Sequence, residues 1–231
     1  MNNLNNPYSL IIFDWDGTLI DSIEQITHSL QAASKIVCGE SITEEAARSV
    51  IGLGLQEAVE RLHPDKPQAL TKKMADTYRH HYTNENKVPA PLFDGVTDML
   101  DELLDKGFNL AIATGKSRAG LEYSLTEHPV SHYFSTTRCA GENQSKPHPE
   151  MLLGILNDTK TDARHALMIG DSEHDLMMAN NAGVDAVAVT HGAHTTDRLM
   201  THKPLLYLDK VADLSNFVLP HENNTNMRVT K

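Results

Sequence analysis

The sequence predicts an α/β fold, a parallel sheet flanked by helices and interrupted near its start by an all-helical insertion. Three observations predict it. Leu10-Ile11-Ile12-Phe13 is an unbroken apolar run close to the N-terminus, as a strand covered on both faces must be. Between residues 22 and 86 apolar positions recur only at spacings of three and four, without a strand signal. From residue 91 onward, short apolar runs alternate with segments of helical periodicity, the pattern of parallel strands joined by right-handed crossovers.

The first strand stops at Asp14-Trp15-Asp16-Gly17-Thr18, two carboxylates at i and i+2 before a glycine and a hydroxyl. Alone, that reads either as an Asp-Gly turn or as a ligand site, because open α/β sheets bind ligands at strand carboxyl ends. A helix striped by Ile23, Ile26, Leu30, Ala33 and Val37 follows, closed by Gly39. Ser41-Ile42-Thr43-Glu44-Glu45 offers the capped start of a second helix that reaches Val50. Leu55, Ala58, Val59 and Leu62 stripe a third, stopped by Pro64, and Leu70, Met74, Tyr78 and Tyr82 a fourth. A polar loop from Asn84 to Pro91 ends the insertion. Residues 21–87 are thus expected to form a helical cap domain over the sheet's carboxyl edge, and residues 1–20 and 88–231 the core.

Past the loop, Val96, Met99, Leu100, Leu103 and Leu104 stripe a helix ended by Gly107. Four further strands are expected at 108–113, near 134–138, at 166–169 and at 186–189. Helices are expected between them at 118–127, 149–156 and 175–181, the last ended by Gly183. Residues 220–231 are polar and aperiodic, and a disordered tail is expected there.

Composition narrows the function class. A hydrophobic content of 40% over 231 residues describes an ordinary soluble globular chain. The net charge of −11, from 20 basic and 31 acidic side chains, disfavours nucleic acid and anionic membranes as partners. Cys38 and Cys139 form no metal spacing and no disulfide framework, which suits a reducing cytoplasm. No apolar run reaches the roughly 18 residues of a membrane span, and the N-terminus lacks a basic, apolar leader pattern. A soluble cytoplasmic protein is expected, with monomer and homodimer both open.

Chemistry collects at the strand ends. The second strand leads into Thr114-Gly115-Lys116, the loop before the 149–156 helix carries Lys146-Pro147, and the fourth strand leads into Gly170-Asp171 and then Asp175. Each reads singly as a turn. In a parallel sheet, however, all carboxyl ends share one edge, so these groups converge with Asp14 and Asp16. Carboxylates that close raise one another's pKa unless a cation offsets them. A hard divalent ion with oxygen ligands fits, and room for water and phosphate favours Mg²⁺ over a Ca²⁺ cage. Without a Cys or His cluster, zinc does not fit. Mg²⁺ and Lys146 would together supply the positive field that an acidic protein needs to hold an anion.

Asp14-Trp15-Asp16-Gly17-Thr18, Ala113-Thr114-Gly115, Lys146-Pro147 and Gly170-Asp171 with Asp175 resemble, in order, the four motifs of the haloacid dehalogenase superfamily. The resemblance is to its phosphatases with a helical cap inserted after the first motif, phosphoglycolate phosphatases among them, and runs from Tyr8 to about Phe217. It implies a Rossmann-like core and an aspartyl-phosphate intermediate formed on Asp14 as nucleophile. Asp16 is implied as general acid and then base, with its backbone carbonyl on Mg²⁺. By the same resemblance Asp14 and Asp171 give carboxylates to the metal, Asp175 supports them, and Thr114, the Gly115 amide and Lys146 hold the phosphoryl oxygens. Dehalogenases lack the second acid, here Asp16. Phosphonate-cleaving members depart there too and rely on a cap lysine, for which Lys35 is the only early candidate. The expected function is Mg²⁺-dependent hydrolysis of a small phosphorylated metabolite. A sugar-phosphate mutase of the β-phosphoglucomutase type is one alternative, and a catalytically silent phosphate-sensing or partner-binding protein is another. Within the cap, Gly52-Leu53-Gly54 reads as a site-facing loop or as a plain turn, and Arg48 as part of a solvated face. His148 and His174 read as loop residues without a role, and Trp15 as packing beside the strand.

Overall fold

Six parallel strands build the sheet of the computed structural model, which describes residues 6–85 and 89–219. They are β1 (Leu10–Phe13), β2 (Asn109–Thr114), β3 (Thr136–Cys139), β4 (Ala166–Gly170), β5 (Asp185–Val189) and β6 (Leu206–Leu208), in the order β3-β2-β1-β4-β5-β6. β1 lies at the centre, with Ile12 paired to Ala111 on one side and Met168 on the other. Between β1 and β2 come α1 (Ile23–Cys38), α2 (Glu44–Ser49), α3 (Leu55–Leu62), α4 (Gln68–Glu85) and α5 (Val96–Asp105). The later crossovers carry α6 (Arg118–Glu127), α7 (Glu150–Thr159), α8 (Glu173–Ala182) and α9 (Thr196–Met200), and α10 (Leu214–Val218) follows β6.

Strand alternation divides the core into two layers. Ile11, Phe13, Ile112 and Ile169 face Leu100 and Leu103 of α5, Leu121 of α6 and Leu214 of α10. Leu10, Ile12, Ala111 and Met168 face Met151 and Ile155 of α7 and Leu176 of α8. Both faces are covered, which explains why these strands are apolar without alternation. The first four helices have a cluster of their own, built from Ile23, Ile26 and Leu30 of α1, Val50, Ile51 and Leu53 after α2, Val59 of α3 and Met74 of α4. A polar chain pins its far side, where Ser34 Oγ lies 2.6 Å from His63 Nε2 and His63 Nδ1 lies 3.3 Å from Glu40. Chain exit and return run side by side: Ile20 bridges Leu92, and the Asp21 amide donates to the Pro91 carbonyl at 2.8 Å.

Several boundaries depart from the sequence reading. β6 was not anticipated: it is a three-residue edge strand, and only Leu208 in it is buried. β3 starts at Thr136, two residues into the expected segment, because Phe134 packs as a side-on partner of Trp15 instead of pairing. α4 continues through Asn84 to Glu85, into the expected loop. Pro149 caps α7 from outside its first turn, and α7 runs on to Thr159. α8 begins at Glu173 because Ser172 and Asp175 form a reciprocal capping box. The expected cap boundary after residue 87 and the expected disordered tail at 220–231 lie outside the described residues. No helix among the described residues is long and apolar enough to cross a membrane.

Ile112 is fully buried in the central β2. Ile112→Ala is expected to lower unfolding stability by about 2–5 kcal/mol, through lost burial and the cavity left behind. Urea unfolding of the variant against wild type measures it.

Candidate active site

The carboxyl edge of the sheet gathers acids from the ends of two strands, β1 and β4, around one lysine from the loop after β3. Asp14 leaves β1 with its amide donating to the Ile169 carbonyl of β4 at 2.9 Å, so its position is set by the sheet itself. Gly17 then turns the chain with φ +78°, where a Cβ would strike the Asp171 carboxylate and would come 2.6 Å from Ile23 Cδ1. The turn delivers Thr18, whose Oγ1 donates to Asp171 Oδ1 at 2.9 Å. The Ala193 amide, from the loop after β5, donates to the other oxygen of Asp171 at 2.6 Å. Asp175 lies in the first turn of α8, where its Oδ2 accepts from the Ser172 hydroxyl at 2.6 Å and the Ser172 amide at 3.1 Å.

Lys146 reaches this cluster from the loop after β3. Its ammonium is fully buried, 2.7 Å from Asp14 Oδ1 and 2.6 Å from Asp175 Oδ1. Burial alone would lower its pKa, but the charges of Asp14 and Asp175 outweigh burial and hold it above its ordinary value. The acids remain under-compensated. Burial raises Asp14 well above the usual carboxylate range; Lys146 opposes this, while Asp175 and Asp171 add to it. Burial, with the charge of Asp175, pushes Asp171 up to about 7, against the hydrogen bonds from Ala193 and Thr18. Asp14, Asp171 and Asp175 each offer a carboxylate oxygen within 4.8 Å of the others. Asp14 Oδ1, though near Lys146, makes no hydrogen bond of good geometry. Buried, oxygen-only donors short of positive charge fit a hard divalent cation.

Asp16 sits on the other side of the turn, with different partners. Its Oδ1 accepts from Ser22 Oγ at 2.6 Å and pairs with Lys116 Nζ at 2.9 Å. Lys116 also lies over the Tyr82 ring of α4, 4.9 Å from its centroid. Burial pulls the Lys116 ammonium down, and Asp16 and Tyr82 more than reverse that. Thr114 is buried at the end of β2, its Oγ1 accepting from the Lys116 amide at 3.1 Å. At Gly115 a Cβ would come 2.5 Å from the Leu53 carbonyl and 2.7 Å from that of Gly52, so only a glycine allows the cap loop this close. The Gly54 amide donates to Ser145 Oγ at 2.8 Å, and His174 Nε2 lies 3.2 Å from the Ser49 carbonyl.

Asp14, Lys146, Asp171 and Asp175 therefore form one contact cluster. Asp14, Asp16, Thr114 and Gly115 line a cavity of about 670 Å³ shared between sheet edge and cap. The loop 52–54 faces that cavity and is not merely a turn. Arg48 pairs with Glu44 at 2.8 Å on the cap surface and reaches the Gly192 carbonyl at 3.5 Å. Lys35 is exposed and bonds the Gly39 carbonyl, away from the cavity. Trp15 packs beside the strand, with its Nε1 donating to Ser124 Oγ at 2.9 Å. His174 is no loop residue: it lies in α8 and is buried under the cap. His148 Nδ1 accepts from the Glu150 amide at 3.3 Å, before α7. Sequence reasoning missed Lys116 and Ser22 as partners of Asp16, although both flank recognised motifs. It also missed the Ala193 amide, for which no residue type signals.

Residues 11–189 match the family model described as haloacid dehalogenase-like hydrolase. The chain belongs to that family, and its relatives include proteins named as phosphatases. One, named "Probable phosphatase IndB", from Dickeya dadantii, is 32% identical over 211 residues, covering 89% of this chain and 91% of its own. A phosphoglycolate phosphatase from Vibrio vulnificus is 27% identical, over 91% of this chain and 96% of its own. A crystal structure of a predicted phosphoglycolate phosphatase from Haemophilus somnus superposes with a TM-score of 0.82 at 24% identity. It covers 92% of this chain and 99% of its own, and the likeness is one of fold.

Removing the lysine strands two buried acids. Lys146→Met is expected to cost about 3–5 kcal/mol of unfolding stability at neutral pH. The loss should shrink in acid, where Asp14, whose pKa burial already raises, can take up a proton. Urea midpoints at two pH values measure both.

Proposed function

We propose that the protein is a Mg²⁺-dependent phosphatase of small-metabolite phosphomonoesters, sharing its chemistry with the phosphoglycolate phosphatases it resembles. The observation that carries this reading is the buried Asp14, Lys146, Asp171 and Asp175 cluster, which meets the cavity through Asp14. Asp14 and Asp171 through carboxylates, and Asp16 through its backbone carbonyl, would hold the ion. When bound, Mg²⁺ supplies the positive charge that lets the clustered carboxylates ionise together and that offsets the phosphoryl oxygens.

The chain's own groups do the rest. Lys146, the Thr114 hydroxyl and the Gly115 amide orient the phosphoryl group for in-line attack. An Asp14 oxygen attacks phosphorus as the bond to the leaving oxygen breaks, giving the aspartyl-phosphate. Asp16, on the leaving-group side, donates its proton to the departing alkoxide. It then takes a proton from water, whose oxygen attacks the same phosphorus, so that inorganic phosphate leaves and Asp14 is restored. Lys116 and Ser22 hold the Asp16 carboxylate in line for both transfers. Phosphoryl transfer depends mainly on positioning and charge neutralisation, which these groups offer. The reading extends to a protein working in the cytoplasm on a small phosphorylated partner, which the acidic surface and free cysteines favour.

Asp14→Asn is expected to reduce phosphate release from a phosphomonoester panel to background while the circular dichroism spectrum stays that of wild type. Turnover near wild type would remove Asp14 from the nucleophile's role. Mg²⁺ at about 100 times its dissociation constant should stabilise the wild-type fold by about 2.7 kcal/mol. Asp171→Asn should lose most of that gain in the same urea titration.

A further inference from the structure

The cavity is much larger than the chemistry at its floor requires. A phosphoryl group would occupy the end lined by Asp14, Thr114 and Gly115, whereas a cavity of about 670 Å³ is of the size that encloses a drug-sized ligand. The remainder is open to the alcohol to which the phosphate is esterified. Its walls are mostly apolar and aromatic. α1 contributes Ile26 and Leu30, and the cap loop contributes Ile51. Tyr78 and Tyr82 of α4 present two rings stacked at 5.7 Å and 21°, and Tyr123 of α6, 46% exposed, lines the same cavity from the core.

Charge excludes one class of occupant. Besides Asp14 and Asp16, the ionisable lining consists of Glu57, Glu60, Arg79 and Lys116. Lys116 is committed to Asp16, and Arg79 pairs with Asp76 at 2.7 Å on the cap exterior. Glu57 pairs with Arg61 at 3.0 Å, and Glu60 accepts from Gln56 at 2.7 Å. Both cations lining the cavity among the described residues are thus already paired, Lys116 within it and Arg79 at an exposed position, so no unpaired cation faces its interior. Glu60, which has a neutral partner in Gln56 and no ion pair among the described residues, would repel a second anionic group on the substrate. An alcohol such as glycolate, with its carboxylate, would meet apolar wall on most sides and a committed lysine on the other.

We infer that the leaving alcohol is uncharged and carries a flat apolar body, aromatic or heteroaromatic, held against Tyr78, Tyr82 and Tyr123. The inference rests on the phosphatase reading above and narrows it to a substrate class. Aromatic rings there would gain offset or edge contacts with the tyrosines in addition to plain burial.

Four alkyl esters test it, because their leaving groups differ in bulk and charge more than in basicity: ethyl phosphate, 2-phenylethyl phosphate, 2-(1-naphthyl)ethyl phosphate and phosphoglycolate. With Mg²⁺, kcat/KM is expected to rise about tenfold or more from the ethyl to the naphthylethyl ester, as filling an apolar pocket does. Phosphoglycolate is expected to fall below the naphthylethyl ester. A flat series, or phosphoglycolate ahead of both aryl esters, overturns the inference and leaves the phosphatase reading standing. Absence of Asp14-dependent phosphate release from all four overturns that reading, and the inference with it. Tyr123→Ala, at an exposed position that folding tolerates, should cut the naphthylethyl-to-ethyl ratio by about tenfold; an unchanged ratio counts against the aromatic contact. Calorimetry adds a readout without turnover, in which 2-(1-naphthyl)ethanol should bind the metal-free protein and glycolate should not. Equal binding of the two, or none by either, contradicts the inference.

Discussion

One buried ammonium organises the carboxyl edge of this sheet. Withdrawing Lys146 from water costs several kcal/mol, and among the described residues Asp14 and Asp175 are the acids that pair with it and offset that cost. Those three residues come from the loop after β3, the end of β1 and the first turn of α8 after β4. The charge contact therefore fixes three separate crossovers relative to one another at the place where geometry matters most. Asp175 is held a second time by the Ser172 capping box, so the start of α8, and with it Asp171, is tied to the same lysine. The compensation is incomplete, which is why Asp14 and Asp171 keep raised pKa values and why the cluster has room for a further positive charge.

Asp14 and Asp16 are two residues apart and face different surroundings. Asp14 belongs to the rigid interior, held by the sheet and by Lys146. Asp16 belongs to the boundary between sheet and cap, where Ser22 leads into α1 and Lys116 sits beneath Tyr82. A pair of acids separated in this way can divide attack from proton transfer, because each has its own electrostatic environment. The cap meets the core at each major strand-end loop: Gly115 after β2, Ser145 before Lys146, and His174 in α8.

Much of this was legible in the sequence. β1, β2, β4 and β5 are apolar on both faces, and the cap helices carry clear stripes, so period and flanking residues sufficed for them. Convergence of Asp14, Thr114, Lys146 and Asp171 followed from topology alone, since parallel strands share an edge. β6 escaped because a short edge strand needs little burial and leaves little pattern. α8 starts two residues before the expected Asp175 because Ser172-x-x-Asp175 is a capping pattern, in which one acid serves both the helix start and the cluster. The pairing of Lys116 with Asp16 joins residues a hundred positions apart, and no local rule brings them together. The Ala193 amide could not be seen at all, because a backbone donor has the same chemistry in every residue type but proline.

The exit and return of the cap lie beside each other, through the Ile20–Leu92 bridge and the Asp21–Pro91 hydrogen bond. An excursion whose two ends nearly touch puts little demand on what lies between them. Helices 1 to 4 share one cluster, which takes in Ala193 of the loop after β5, and they touch the sheet edge mainly through loop backbone and single side chains. Mutation can therefore rework the chamber wall over long evolutionary times while the strands beneath remain as they are. The chain has the build of a tool with an interchangeable head, because a change between those two joined ends need not move the strands that carry the acid cluster.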